Sequence, residues 1–158
     1  MEIDYNYEIN NFENEIFNNE IPSDVILLKQ TFVVWYSLVE GNTKLDEVWL
    51  QDILNRNTNL IRKHYPRDPN LLFLRGWMIE ISSWLFDSED SNFGSKYLIS
   101  AYKYCPNNLL FKWALRGSIN LSKDELNIIK ISIQNRFEDY YVDYRPIREY
   151  YQDMIKDS

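Results

Sequence analysis

Apolar residues recur along most of this chain at steps of three and four, the spacing that places side chains on one face of an α-helix. The clearest case follows Pro22 and Ser23 and ends before Gly41, a residue suited to the C-terminal cap of a helix. Its apolar positions include Val25, Leu28, Phe32, Trp35, Tyr36 and Val39. The pattern predicts a helix over Asp24–Glu40.

The same spacing, together with capping signals, predicts the remaining helices. Thr43 and Asp46 resemble a capping box before the second helix, and Ser122 and Glu125 form a full capping box further on. Only Gly41 and Asn42 separate the helix over residues 24–40 from the capping signal of the next helix. So short a connection requires the two helices to pack antiparallel. The predicted helices are residues 24–40, 45–64, 70–86, 93–104, 107–119, 123–140 and a last one opened by Pro146. The chain is therefore predicted to be all-α, with about six to seven helices.

The predicted helix over residues 70–86 has almost no polar face, which places it at the centre of the core. Arg75 and Glu80 are the charged residues within it. Because an unpaired buried charge is costly, each is expected to reach a partner on a neighbouring helix or the surface.

The first 22 residues differ from the rest of the chain in charge. They contain six acidic residues and no Lys or Arg, whereas the remainder nearly balances. Phe12, Ile16, Phe17 and Ile21 are spaced like one helix face. We expect residues 1–22 to form an acidic, loosely ordered segment with a short helix.

Composition favours a single domain spanning residues 1–158. The length suits one core, 45% of residues are hydrophobic, and four Gly with five Pro argue against a β-sandwich with frequent tight turns. The single cysteine, the lack of a leader pattern and the short apolar runs predict a cytoplasmic protein that does not cross a membrane.

Two stretches of the chain are alike. Residues 65–73 and residues 105–111 each join a helix end, a proline turn and an apolar helix start, with Pro66 and Pro106 forty residues apart. Between them, the spacing Gly94-x3-Leu98-x2-Ala101-x4-Pro106, preceded by Leu72, Gly76 and Ile79, resembles a tetratricopeptide unit. Leu72 stands where that family prefers Trp, and Arg75 replaces a Leu. Residues 87–92 look like an insertion. The resemblance implies antiparallel helix pairs stacked as a short solenoid, with a general helical bundle as the alternative.

The sequence offers little that catalysis requires. His64 is the single histidine and lies at a helix C-terminus, where a structural role is favoured, and Cys105 has no second sulfur or imidazole at metal-ligand spacing. No glycine-rich phosphate-binding motif and no nucleophile elbow occurs. We therefore predict no catalytic residues, no enzyme activity, no cofactor and no metal.

Charge and aromatic content instead indicate protein binding. The net charge is −7, which disfavours direct contact with nucleic acid and favours a basic protein partner. Tyrosines supply rigid contact area at interfaces. Two clusters are the predicted partner-binding residues: Asp87, Glu89 and Asp90 in the insertion, and Glu138, Asp139, Tyr140, Tyr141, Asp143 and Tyr144 near the C-terminus. The alternative interpretation is that the acidic residues lie in solvated turns and that the tyrosines cover the last layer of the core.

In size, charge and composition, though in no motif, the chain resembles the bacterial immunity proteins that neutralise toxins, including those of contact-dependent growth inhibition systems. The resemblance implies tight capture of a basic toxin domain, for example a nuclease, by covering its active or substrate-binding surface. The alternative function is a tetratricopeptide-like adaptor that holds a peptide segment in a larger assembly. The oligomeric state stays open at this point.

Overall fold

A computed structural model describes residues 2–41, 44–87 and 89–158 of the chain, and the regular structure of this part is helical throughout. Three short 3-10 turns interrupt the connections, at Ser83–Leu85, Asp90–Asn92 and Phe137–Asp139. The α-helices of the described residues are α1 Tyr5–Asn18, α2 Asp24–Glu40, α3 Glu47–His64, α4 Pro69–Ser82, α5 Gly94–Tyr104, α6 Leu109–Ala114, α7 Lys123–Asn135 and α8 Arg145–Lys156. The predicted all-α class is confirmed.

Helix α2 has the bounds that the sequence predicts. The side chain of Ser23 caps its N-terminus by accepting a hydrogen bond from the backbone N–H of Ile26 at 3.2 Å. Gly41 ends it in the left-handed conformation, with φ at 63°. This conformation strains residues that carry a Cβ atom, which explains the glycine.

Helix α3 begins at Glu47, two residues later than predicted. The Asp46 side chain caps it by accepting a hydrogen bond from the backbone N–H of Trp49 at 3.0 Å. Asp46 is therefore the N-cap itself rather than the third residue of the helix. Thr43, the other member of the predicted capping box, lies outside the described residues.

Helix α4 ends at Ser82, although its apolar pattern predicts a continuation to residue 86. The Ser82 hydroxyl donates to the backbone carbonyl of Met78 at 2.7 Å and accepts from the Trp35 indole N–H at 2.7 Å. A serine that bonds back to the preceding turn competes with the helical hydrogen-bond pattern. The chain continues instead as the 3-10 turn Ser83–Leu85.

Two later helices are also shorter than predicted. Helix α6 ends at Ala114 rather than residue 119, in a stretch that contains the poor helix former Gly117. The capping box of Ser122 and Glu125 opens α7 as predicted, but α7 ends at Asn135 rather than residue 140. The spacing of apolar residues continues through the 3-10 turn that follows, so the pattern could not reveal the break.

The N-terminal segment is more regular than predicted. Helix α1 begins at Tyr5, because the side chain of Asp4 caps it by accepting a hydrogen bond from the backbone N–H of Tyr7 at 3.0 Å. Ile9, Phe12 and Ile16 are buried against the rest of the molecule. The helix is thus a packed part of the fold.

Consecutive helices pack against each other, α1 with α2, α2 with α3, α4 with α5 and α6 with α7, and α2 also packs on α4. The closest approach is between α4 and α5, where a Cβ atom built on Gly76 would lie 2.7 Å from the backbone carbonyl oxygen of Gly94 and 2.8 Å from Leu98. Glycines on both helices permit this close approach. Gly76 lies beside Leu98, whereas Glu80, one turn later in α4, lies beside Gly94, one turn earlier in α5. Helices α4 and α5 therefore run antiparallel.

Helix α8 completes the core by bringing its aromatic residues against α2 and α4. The Tyr150 ring lies 5.4 Å from Phe32 and 5.6 Å from Trp35, between ring centroids. The Tyr151 ring lies 5.6 Å from Phe73 and 5.4 Å from Trp77. Helix α8 therefore covers α2 and α4, although α4 ends at Ser82 and α8 begins only at Arg145.

Candidate functional site

The carboxylates of the C-terminal cluster are exposed, as expected for contact residues. Asp139 pairs with Arg136 at 3.5 Å, and Asp143 pairs with Arg148. Glu138 is exposed and makes no ion pair within the described residues. Two of the three charges are thus partly balanced by nearby arginines.

The tyrosines of this cluster differ in their exposure. Tyr141 is a core residue, 5% exposed, and its hydroxyl donates to the backbone carbonyl of Asn70 at 2.8 Å. Burial raises the pKa of Tyr141 well above its ordinary value. The expectation that Tyr141 lies on a contact surface is therefore corrected. Tyr140 and Tyr144 are half-buried and keep part of their surface available.

Tyr144 links the C-terminal cluster to the acidic N-terminus. Its hydroxyl donates to the Glu8 carboxylate, and its ring meets Phe12 edge-on at 5.8 Å. Burial and the hydrogen bond to Glu8 raise the pKa of Tyr144. A cavity of about 120 Å³ at this junction is lined by Glu2, Ile3, Asp4, Glu8, Tyr144, Arg145 and Pro146.

We use the name acidic face for Glu2, Asp4, Glu8 and Tyr144 of this junction together with Asp143, the exposed residue that precedes Tyr144 in the sequence. The cations near it are engaged within the chain. Arg145 pairs with Glu149 at 2.8 Å, Arg148 pairs with Asp143, and the Lys29 ammonium lies 5.5 Å from the centre of the Tyr144 ring. The acidic N-terminus and the start of α8 therefore meet on one surface, at Tyr144.

Helix α1, which carries part of the acidic face, is held by a polar network. The Arg56 guanidinium bonds both oxygens of the Glu13 carboxylate, at 2.6 and 3.1 Å, and donates to the side-chain oxygen of Gln30 at 3.0 Å. Gln30 and Asn57 are fully buried, and Asn57 donates to Gln30 at 2.8 Å. Burial would raise the pKa of Glu13, but the hydrogen bonds from Arg56 and Gln30 outweigh it and lower that pKa.

Asp90, predicted as a surface contact residue, is buried instead, at 3% exposure. Its carboxylate pairs with Arg62 and with Arg75, the latter at 3.3 Å, and accepts from the Tyr97 hydroxyl at 2.9 Å. A buried carboxylate needs such partners to offset its desolvation. Asp90 therefore anchors the 3-10 turn Asp90–Asn92 to α3, α4 and α5, and Arg75 has the partner that its place in an apolar helix required.

The other two carboxylates predicted as contact residues with Asp90 remain on the surface. Asp87 and Glu89 are both exposed, and Asp87 lies 3.9 Å from Arg62. The Asp87 side chain also accepts from the backbone N–H of Asp90 at 2.8 Å, which fixes its position. No ion pair or hydrogen bond within the described residues joins this cluster to residues 138–144.

Residues 84–87 and 90 form one wall of an open groove of about 570 Å³. The other wall is one face of α3. We call it the α3 groove; it is lined by Gln51, Asn55, Thr58, Asn59, Arg62, Trp84, Leu85, Phe86, Asp87 and Asp90. A second cavity of about 400 Å³ lies on the far side of the Arg62–Asp90 pair.

Side chains that bind metal ions do not cluster in the described part of the chain. No group of three or more His, Cys, Asp or Glu side chains there could hold a metal ion. Asp24 and Asp68 do lie close together, and burial followed by contact with Asp24 raises the pKa of Asp68. The space beside them is about 10 Å³, at the lower limit for a single water molecule.

Among the described residues, no helix has the length and apolar character needed to cross a membrane. Comparison with known proteins finds no matching family, no matching curated protein and no matching solved structure. The tetratricopeptide and immunity-protein resemblances therefore stay predictions.

Sequence reasoning missed the α3 groove. The sequence feature that corresponds to the groove is a set of polar residues on one face of α3, at positions 51, 55, 58, 59 and 62. A polar helix face is ordinarily solvated, so the pattern alone does not indicate a groove. The opposite wall comes from residues that are distant in sequence.

Proposed function

We propose that this protein acts by binding a basic partner protein through the acidic face, as an inhibitor of the immunity type that covers the functional surface of a toxin domain. In this proposal it acts in the cytoplasm, without catalysis, cofactor or contact with nucleic acid. The observation that carries the proposal is the junction of the acidic N-terminus with Tyr144, the residue that follows the exposed Asp143 in the sequence.

The composition of this surface suits such a partner. Carboxylates attract a basic protein and increase its association rate by electrostatic steering. A half-buried tyrosine adds contact area, which slows dissociation. Helix α1 also carries Tyr7 and Phe17, which are 64% and 71% exposed. Because the Glu13–Arg56 network holds α1 in place, this surface can bind with little loss of conformational freedom.

The test is a capture experiment from a lysate of the source organism, at low and at high salt. The variant combines Glu2→Gln, Glu8→Gln and Asp143→Asn, which remove charge while retaining hydrogen-bonding atoms. The matched control combines Asp124→Asn, Asp153→Asn and Asp157→Asn, which change the net charge equally at exposed positions outside the acidic face.

We expect the wild-type chain and the control to capture one basic protein at low salt, with capture weakened by high salt and by the acidic-face variant. Capture of neutral or acidic proteins that responds neither to salt nor to the variant would contradict the proposal. Equal weakening in the control would also contradict it, because net charge rather than the acidic face would then be responsible.

A further inference from the structure

A stretch in the second half of the chain carries the opposite charge to the acidic N-terminus. Residues 91–123 contain no Asp or Glu, and their cations are Lys96, Lys103, Lys112, Arg116 and Lys123. The first 22 residues contain six acidic residues and no Lys or Arg. The chain, with its net charge of −7, therefore holds two segments of opposite sign.

Two of these lysines lie on one exposed face of α5. Lys96, Ile99 and Lys103 follow the steps of three and four that keep side chains on one side of a helix. Both lysines are exposed, and Ile99 between them is 38% exposed. We call Lys96, Ile99 and Lys103 the basic face. It combines an apolar contact with flanking charges, as protein interfaces with a polar rim do.

The charges of the basic face are not balanced within the molecule. Neither lysine forms an ion pair with a described residue. Helix α5 packs on α4, on α6 and on the 3-10 turn that precedes it. The carboxylates of these neighbours are Glu80, which lies beside Gly94, and Asp90, which already has two arginine partners. The two ammonium groups are therefore available to carboxylates of another molecule.

The acidic face offers groups that match the basic face. Glu2, Asp4 and Glu8 form no ion pair within the described residues. Tyr7, beside them on α1, is 64% exposed. Each surface thus combines an exposed apolar side chain with free charges, and the two signs are opposite. Opposite charges that meet across an interface raise the association rate and fix the orientation of the partners.

The two faces belong to helices with different packing partners. Helix α1 packs on α2, whereas α5 packs on α4 and α6. No ion pair joins residues 2–22 to α5 in the folded chain. Both faces therefore remain open to a second copy.

We propose that the basic face binds the acidic face of a second copy of this chain, so that the protein associates head to tail. Because such a contact leaves one face of each kind unoccupied, it continues into a ring or an open chain of copies. Exposed charges carry the contact, so salt weakens it. This inference uses the acidic face as a surface and does not rest on the function proposed for that face. A second copy bound there would compete with a basic partner protein.

The test is sedimentation velocity of the purified chain from roughly 10 μM to 1 mM, at low and at high salt. The basic-face variant is Lys96→Gln with Lys103→Gln, and the acidic-face variant is the one described above. The matched control is Lys63→Gln with Lys123→Gln, which changes the net charge equally at exposed positions outside the basic face. Circular dichroism confirms that each variant is folded.

We expect the mean mass of the wild type and of the control to rise with concentration at low salt and to fall at high salt. Each face variant alone should associate about tenfold more weakly, because exposed ion pairs are lost. An equimolar mixture of the two face variants should form a dimer and nothing larger, because the intact acidic face of one variant meets the intact basic face of the other.

The proposal is overturned if the wild type stays monomeric at every concentration, or if the control loses association as the basic-face variant does. A mixture of the two face variants that stays monomeric would also overturn it. So would a DNA duplex that binds the wild type but not the basic-face variant, because the basic face would then take a polyanion. None of these results bears on capture of a basic protein from a lysate, which tests the proposed function separately.

Discussion

At the scale of single residues, the core of this protein contains tyrosines whose hydroxyl groups have different surroundings. Tyr150 accepts a hydrogen bond from the Trp77 indole N–H at 2.9 Å. The Tyr151 hydroxyl is buried and has no hydrogen-bond partner among the described residues. A buried polar group without a partner lowers stability. The Tyr151 hydroxyl should therefore lower the free energy of unfolding, whereas the Tyr150 hydroxyl should raise it.

We therefore predict opposite effects for the two Tyr→Phe substitutions. Tyr151→Phe should raise the free energy of unfolding by about 1 kcal/mol, because it removes an unsatisfied buried hydroxyl. Tyr150→Phe should lower it by about the same amount, because the Trp77 N–H loses its acceptor. Urea unfolding of both variants measures this, and a loss of stability in Tyr151→Phe would indicate a hydrogen bond that the structure lacks.

At the scale of helices, the close packing of α4 on α5 depends on Gly76. The backbone carbonyl oxygen of Gly94, 2.7 Å from a Cβ atom at this position, cannot move aside as a flexible side chain can. By contrast, the nearest atom to a Cβ atom on Gly94 is a Glu80 carboxylate oxygen, at the end of a flexible side chain. The α4–α5 contact is therefore sensitive to added volume on one helix and more tolerant on the other.

Gly76→Ala should consequently force α4 and α5 apart and lower the free energy of unfolding by about 1–3 kcal/mol. The control is Gly117→Ala, where a Cβ atom would meet nothing within 4 Å and stability should change little. Thermal unfolding of the two variants compares them directly. Equal stability of the two would show that α4 and α5 do not approach as closely as described.

At the scale of the whole molecule, the Glu13–Arg56 network joins α1 to α2 and α3 and thereby positions the acidic face. Hydrogen bonds from Arg56 and Gln30 lower the pKa of Glu13 in the folded protein, against the raising effect of burial. A carboxylate whose folded pKa is lowered contributes stability above its unfolded pKa, about 4.3. That contribution is lost as the pH falls through the folded pKa.

Glu13→Gln should therefore lower the free energy of unfolding by about 1–2 kcal/mol at pH 7, with the difference from wild type shrinking below about pH 4. Glu15→Gln, an exposed neighbour on the same helix, serves as the control and should match wild type throughout. Unfolding curves across this pH range measure both. A difference that persists unchanged at pH 3 would assign the effect to packing rather than to charge.

The whole-molecule arrangement also separates what the sequence determined by itself from what required the tertiary structure. Helix positions followed from the sequence, because apolar spacing and caps such as Ser23 and Ser122 act within a few residues. Helix ends were less predictable where a distant partner intervened, as Trp35 does at Ser82.

The exposure of the predicted contact residues was decided by the tertiary structure. Asp90 lies in an acidic run that resembles a solvated loop. It is nevertheless buried, and its carboxylate pairs with Arg62 of α3 and Arg75 of α4. The acidic face required Tyr144 to meet Glu8 across 136 positions of sequence. The α3 groove likewise needed residues 84–87 and 90 to lie opposite one face of α3. Local propensities act over a few residues, whereas burial and charge pairing depend on which helices become neighbours, and only the packed fold determines that.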